Sequence, residues 1–230
     1  VPNSTLSREA SYTLLLHAGP EIAVASTKAY TAQIALEAIL VKAYGEAKGI
    51  QKVKDFDVAS ELTKVANGMQ ELVDEKHNVE QIAKEMLSTT RNAFYIGRGV
   101  DYALAQEAAL KLKEVSYVQT EGFASGELKH GTIALIEEGT PVVAIITDPK
   151  TAAHTRSNAQ EVLARGANVL FIASRDLATD NDQIVLPEVD PLLSPLVSVV
   201  PTQLLAYYTS IQRGYDVDKP RNLAKSVTVE

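Results

Sequence analysis

Two short, almost wholly apolar runs in the second half of the chain restrict its fold more than any other feature. They read PVVAIIT over residues 141–147 and NVLFIA over 168–173. Strands that are apolar on both sides are typical of parallel sheets, because helices cover both faces of such sheets. Strand patterns at 93–96 and 183–186 alternate with helical patterns before and after these runs. The alternation predicts right-handed βαβ units and a parallel α/β sheet.

The beginning of the chain has a different pattern. Tyr12, Leu14 and Leu16 alternate with their neighbours, which predicts a strand. A helical pattern follows over residues 28–43. One strand and one helix cannot enclose a core, so we expect residues 1–48 to be the end of a larger unit.

Helix signals dominate the region between these parts. The hydroxyls of Ser26 and Thr27 are predicted to cap the helix over 28–43, which should end near Gly45. Apolar residues at helical spacing predict two polar helices between residues 53 and 90.

Composition excludes several function classes. The 230 residues carry a net charge of −7, which argues against nucleic acid or an anionic membrane as the main partner. No apolar run approaches the roughly 20 residues that a bilayer span needs. The chain has no cysteine, so it lacks disulfides, thiolate metal sites and a cysteine nucleophile, which fits a cytoplasmic location. No histidine pair has metal spacing and no Walker motif occurs, so we expect neither a metal nor a cofactor.

One charged stretch stands apart: EAALKLKEVSYVQTEGFASGELKHG, residues 107–131. Glu107, Lys111 and Glu114 recur at i, i+4 and i+7 and therefore share one helix face. His130 follows in the same segment. A carboxylate beside a lysine can move protons, and histidine titrates near neutral pH. The alternative is a solvated face with ordinary ion pairs and a surface histidine.

Two further segments lack a regular pattern. Gly122 and Gly126 predict a loop after the helix that carries Lys111. The ending DVDKPRNLAKSVTVE, residues 216–230, has no helix or strand period and is, taken alone, typical of a polar terminus.

Three stretches together resemble one family. HAGPEIAVASTKAYTAQ (17–33), LKLKEVSYVQTEGFASGELKHGTIALI (110–136) and the ending at 216–230 are similar to the C-terminal isomerase part of glucosamine-6-phosphate synthases, the isomerizing glutamine–fructose-6-phosphate aminotransferases. The resemblance implies a three-layer αβα sugar-isomerase (SIS) domain with a five-stranded parallel sheet, preceded by the end of a first SIS domain. We expect the end of the first SIS domain at 1–48, a helical connector at 49–90, the second SIS domain at 91–215 and a lid-like tail at 216–230.

Two parts of that family's pattern are missing from the chain. The family has an upstream glutaminase domain with a cysteine nucleophile, and a phosphate loop of the form S-Q-S-x-x-T in its first SIS domain. Here the corresponding loop of the second domain reads ITDPKT (146–151), with Asp148 in place of hydroxyls. We therefore expect the chain by itself to be inactive, with the upstream glutaminase and first SIS domain as its missing partners.

The resemblance also implies a reaction and its residues. Fructose-6-phosphate and glutamine-derived ammonia would give glucosamine-6-phosphate by ring opening, imine formation and proton transfer between C2 and C1. By motif, Glu114 is the base, Lys111 its electrostatic partner, His130 the ring-opening histidine contributed by the neighbouring subunit of a homodimer, and Lys225 the lysine that closes on the open-chain sugar. The residues implied to line the sugar are Val24, Ala25 and Ser26.

We expect the tail to be ordered across the carboxyl ends of the strands, near Lys111 and Glu114, at least when sugar is bound. Its rigid and apolar residues, Pro220, Leu223, Ala224 and Val227, would dock it there.

Two other functions remain open at this level. One is a non-catalytic SIS module that binds a sugar phosphate and regulates a partner. The other is a plain isomerase of the phosphoheptose type. Neither of these needs the ending at 216–230, so the tail discriminates between them and the synthase.

Overall fold

A parallel sheet forms the centre of the computed structural model, which describes residues 3–225. Its strands are β1 (Asn92–Gly97), β2 (Gln119–Ala124), β3 (Pro141–Ile146), β4 (Asn168–Ser174) and β5 (Ile184–Leu186). The helices are α1 (Thr5–Glu9), α2 (Lys28–Ala47), α3 (Gln51–Lys54), α4 (Val58–Asp74), α5 (Lys76–Met86), α6 (Val100–Ser116), α7 (Ala152–Leu163) and α8 (Ser194–Gln212). The strand order is β2-β1-β3-β4-β5, and every pairing is parallel. The predicted five-stranded parallel α/β fold is confirmed.

The two faces of the sheet support separate cores. Ala93 and Tyr95 of β1 face a core built with α4, α5, α6 and α8. Phe94 and Ile96, the alternate residues, face a second core built with α7. Because the side chains of a strand alternate between faces, the apolar runs seen in the sequence serve both cores at once. We refer to these sides as the α6 face and the α7 face.

The strand predicted at Tyr12–Leu16 is not formed. This segment forms no regular element and has no strand partner among residues 3–225. Tyr12 is 93 % exposed and Leu14 58 % exposed. An alternating pattern becomes a strand only when a neighbouring strand completes its hydrogen bonds.

One strand was missed by the sequence reasoning. The predicted loop around Gly122 is instead the edge strand β2, paired with β1. A Cβ at Gly122 would lie 2.6 Å from the backbone of Ala105 in α6. The glycine is there because strand and helix backbones approach closely, which a sequence pattern cannot distinguish from a turn.

The start and the end of α2 also differ from prediction. Thr27 precedes the helix, but its side chain makes no capping hydrogen bond. Glu21 supplies the cap instead: its Oε1 accepts from the backbone amides of Thr27 and Ala29 at 3.0 and 3.4 Å. A full negative charge suits the first helical N–H groups well. The helix continues through Gly45, where a side chain would collide with Val53.

Candidate active site

Lys111 occupies the centre of a buried charge cluster on α6. Its ammonium lies 2.7 Å from Glu114 and 3.5 Å from Glu107, one helical turn to either side. The lysine side chain is only 6 % exposed. The predicted shared face is therefore real, but it is not a solvated surface.

Burial alters the acid–base behaviour of this cluster. It raises the pKa of Glu107, and the nearby negative charge of Glu114 adds to that rise, although Lys111 opposes it. Glu107 therefore takes up a proton more readily than an ordinary glutamate. Two carboxylates around one ammonium form a group that can hold and release protons at a fixed place.

A cavity of about 170 Å³ lies beside Lys111. It is lined by residues of α6, α8, the segment before α2 and the tail, among them Ala23, Ala25, Thr27, Lys111, Gln203 and Asp218. The side-chain nitrogen of Gln203 is buried there without a hydrogen-bond partner among the described residues. Gln203 thus places a polar side chain in the cavity wall, although its nitrogen is not itself exposed.

The segment predicted to line the sugar lies at this cavity in part. Ala25 is buried and contributes to its wall. Val24 donates its backbone N–H to the carbonyl of Asp218 at 3.0 Å, so it joins this segment to the tail. Ser26 is half-buried and is not part of the lining.

The tail is docked by an aromatic contact at the end of α6. Tyr117 follows the helix in the left-handed conformation, with φ of 60°. Its hydroxyl accepts the backbone N–H of Arg221 at 2.8 Å, and the Arg221 guanidinium lies 4.1 Å from the ring centroid. The ring also packs edge-on against Tyr215, at 4.7 Å between centroids. A tyrosine in this unusual conformation thus provides the surface that holds the tail.

The described part of the tail agrees with the prediction in one respect and differs from it in another. Residues 216–225 pass near Lys111, but not across the carboxyl ends of the strands. Because α6 starts after the carboxyl end of β1 and runs back to the start of β2, Lys111 and Tyr117 lie towards the amino ends. The anchors also differ, since Pro220 is buried whereas Leu223 is 43 % exposed and Ala224 is exposed. Val227 lies outside the described residues.

Lys225 reaches the segment before α2. Its ammonium donates to the Glu21 carboxylate at 3.0 Å and to the carbonyls of Ala23 and Val24 at 2.9 and 3.3 Å. The structure thus brings the tail lysine to the segment that forms one wall of the Lys111 cavity.

His130 lies elsewhere, on the α7 face. It is exposed and lines an open polar cleft of about 420 Å³ between the loops after β1 and β2 and helix α7. Arg98, Lys129, His154 and Glu161 line the same cleft. Within one chain, His130 is therefore separated from Lys111 by the sheet.

Some residues of the site were not found from the sequence. Glu107 was recognised only as a charge on the shared face, and Glu21, Tyr117 and Gln203 gave no signal. Glu21 precedes the helix it caps by too many residues for a capping rule, and Tyr117 takes a position where glycine is usual. The Arg221 and Lys225 contacts join residues more than a hundred positions apart.

Two absences concern the described part of the chain only. Residues 3–225 contain no group of three or more side chains placed to hold a metal ion. None of the helices in that range combines the length and apolarity that crossing a membrane requires.

Comparison with known proteins gives a consistent result. The SIS domain family matches residues 86–213. The chain is 70 % identical over its full length to an isomerizing glutamine–fructose-6-phosphate aminotransferase of Lactiplantibacillus plantarum and 66 % identical to one of Streptococcus pneumoniae. In both cases it covers 38 % of the relative, so the chain spans well under half the length of these curated relatives.

Solved structures agree on the fold. The C-terminal domain of a glucosamine-fructose-6-phosphate aminotransferase from Francisella tularensis superimposes with a TM-score of 0.87 at 36 % identity, covering 96 % of this chain and 63 % of that one. A glucosamine-6-phosphate deaminase from Thermotoga maritima gives a TM-score of 0.69 at 21 % identity, covering 98 % of this chain and 64 % of the other. The second likeness concerns the fold alone.

Proposed function

We propose, since the chain belongs to the SIS domain family, that it is the isomerase portion of a glutamine–fructose-6-phosphate aminotransferase. Its substrate would be fructose-6-phosphate, its product glucosamine-6-phosphate, and its setting the cytoplasm. Residues 1–48 would complete a first SIS domain, and the sheet from residue 91 would be the second. The observation that carries the proposal is the pair of buried Lys111 and half-buried Glu114, with Lys111 in the wall of a cavity bounded by residues 23–27 and the tail.

Lys111 and Glu114 suit the proton transfer from C1 to C2 that converts the imine at C2 into the 2-amino aldose glucosamine-6-phosphate. Glu114 would take the proton from C1 and return one at C2, acting as base and then as acid. Lys111, fixed 2.7 Å away, would stabilise the negative charge that develops in the enolamine intermediate. Because both groups are positioned by one rigid helix, little reorganisation is needed during the transfer.

The remaining residues would bind the sugar or assist ring opening rather than transfer the proton between C1 and C2. Lys225 would approach the open-chain sugar from the tail, and Ala25 with Val24 would form part of the sugar wall. His130 would assist ring opening. Since the sheet separates it from Lys111 within one chain, it would act from the second subunit of a homodimer.

The test replaces Glu114 by Gln in a chain extended to the full length of the relatives. The amide preserves shape but cannot accept the proton, so glucosamine-6-phosphate formation should fall at least about 100-fold, while glutamine hydrolysis continues. The loss should appear in kcat rather than in KM. Glu121→Gln, an exposed glutamate on β2, is the matched control and should retain full synthesis. Synthesis at the unmodified rate by Glu114→Gln would refute the assignment.

A further inference from the structure

The tail lysine has no hydrogen-bonding capacity left over. A lysine ammonium carries three donors, and Lys225 directs its own to Glu21, Ala23 and Val24. Its side chain is nevertheless 47 % exposed, whereas that of Glu21 is 16 % exposed. The contact therefore lies at the protein surface, where a largely buried carboxylate meets a half-exposed lysine.

Glu21 is held firmly from its other side. While Oε2 accepts from Lys225, Oε1 accepts from the backbone amides of Thr27 and Ala29 at the start of α2. Burial by itself would raise the pKa of Glu21, but the bonds from Thr27 and Lys225 outweigh it and lower the pKa. The carboxylate is thus charged at neutral pH, and two of the bonds that orient it come from α2 and its N-terminal edge rather than from the tail.

The contact between Glu21 and Lys225 joins the two segments, residues 21–27 and the tail, that contribute to the wall of the cavity. Ala23, whose carbonyl accepts from Lys225, lines the cavity together with Lys111. Val24, whose carbonyl also accepts from Lys225, donates to Asp218 of the tail. Glu21 and its neighbours therefore connect the start of α2, the cavity wall and the tail at Lys225.

We propose that Glu21 is a positioning residue that clasps Lys225 at the rim of the Lys111 cavity, in a resting position from which the lysine must be released to reach a ligand. We call this contact the Glu21 clasp. The role of the released lysine rests on the proposed function, but the clasp itself does not. With all three donors engaged, Lys225 can meet a sugar carbonyl only after at least one of these bonds opens.

Trypsin can test the clasp without any sugar. The protease must take the Lys225 side chain into its own binding pocket to cut the 225–226 bond, so cleavage reports the fraction of open clasp. Glu21→Gln retains an oxygen that can cap α2 and removes the charge. We expect it to raise the rate of cleavage at this bond about fivefold, the upper range for an exposed ion pair.

The matched control is Glu37→Gln, an exposed glutamate on α2, which should cleave at the unmodified rate. Raising the salt concentration should increase cleavage of the unmodified chain and leave Glu21→Gln almost unchanged, because only the former has an ion pair to screen. A peptide of residues 219–230, isotope-labelled and present in the same tube, corrects for the response of trypsin itself. A purely structural cap would not produce this salt dependence.

Equal cleavage of the unmodified chain and both variants would overturn the clasp, as would faster cleavage of Glu21→Gln with no salt effect in the unmodified chain. If Glu21→Gln does not fold, the salt profile of the unmodified chain decides alone. Because no substrate is involved, a chain with a working clasp but no sugar chemistry would refute only the proposed function.

Discussion

The two faces of the sheet place charged groups in contrasting surroundings. On the α6 face, Lys111 lies between two carboxylates and its side chain is only 6 % exposed. On the α7 face, Arg156 remains 24 % exposed while it pairs with the buried side chain of Asp182, and His130 faces an open cleft. A buried charge depends on its partners, whereas water can replace the partner of an exposed one. Replacing a charged or titratable side chain should therefore lower the free energy of unfolding by an amount that decreases from the Lys111 cluster to the Arg156 pair and to His130.

The largest effect is expected for Lys111→Met. The substitution keeps the volume but leaves Glu107 and Glu114 facing each other, and it should lower the free energy of unfolding by about 3 kcal/mol at pH 7. Without the lysine, nothing opposes the burial that raises the folded-state pKa of Glu107 above its unfolded value. Such a group favours folding when protonated, so the destabilisation should shrink as the pH falls towards 4.

Guanidinium unfolding followed by circular dichroism measures this effect. Lys113→Met, an exposed lysine on the same helix, should change the free energy of unfolding by less than about 0.5 kcal/mol. Similar values for the two variants would remove the distinction between a buried cluster and a solvated face.

A smaller effect is expected for Asp182→Asn on the α7 face. Arg156 donates to both carboxylate oxygens, at 2.8 and 2.6 Å, and the amide can accept at only one. We expect a loss of about 1–2 kcal/mol at pH 7. Burial would raise the pKa of Asp182, but the bonds from Arg156 and Thr179 outweigh it and lower the pKa.

The loss at Asp182 also shrinks in acid, but at a lower pH than the loss at Lys111, because it depends on a carboxyl whose pKa is lowered on folding rather than raised. A group whose pKa is lowered on folding stabilises above its unfolded pKa, near 3.9 for aspartate, and the contribution disappears as the pH falls through the folded value. The difference between Asp182→Asn and the unmodified chain should therefore narrow below pH 4. Asp180→Asn, an exposed neighbour, is the control, and a gap that widened in acid would contradict the assignment.

The smallest effect on stability is expected for His130→Gln. Its exposed side chain makes no hydrogen bond within the described residues, so the free energy of unfolding should change by less than about 0.5 kcal/mol.

The effect of His130→Gln on synthesis should be complemented by a second subunit that carries an intact His130. Mixed dimers of inactive His130→Gln and Glu114→Gln full-length chains should regain about a quarter of full synthesis, because half the dimers are mixed and each has one intact site.

Glutamine hydrolysis and dimer exchange, measured on the same mixtures, serve as controls for this experiment. No recovery from well-mixed dimers would place His130 in its own subunit's site, or outside the reaction.

Local sequence patterns determined much of this molecule. The apolar runs at 141–147 and 168–173 predicted β3 and β4, because strands buried on both faces require continuous apolar side chains. The spacing of Glu107, Lys111 and Glu114 placed them on one helix face, because the helical period fixes that relation without reference to the rest of the chain. The resemblance in the three quoted stretches predicted the family.

Tertiary structure decided what these patterns could not. Whether the alternation at Tyr12–Leu16 becomes a strand depends on a neighbouring strand, and Gly122 belongs to a strand because Ala105 of α6 approaches it. The burial of the Lys111 face comes from the segment before α2, from α8 and from the tail. The clasp between Glu21 and Lys225 joins the first of these parts to the last. Hydrogen bonds and burial depend on which segments, distant in sequence, the fold brings together. A local periodicity in the sequence does not specify which segments those are.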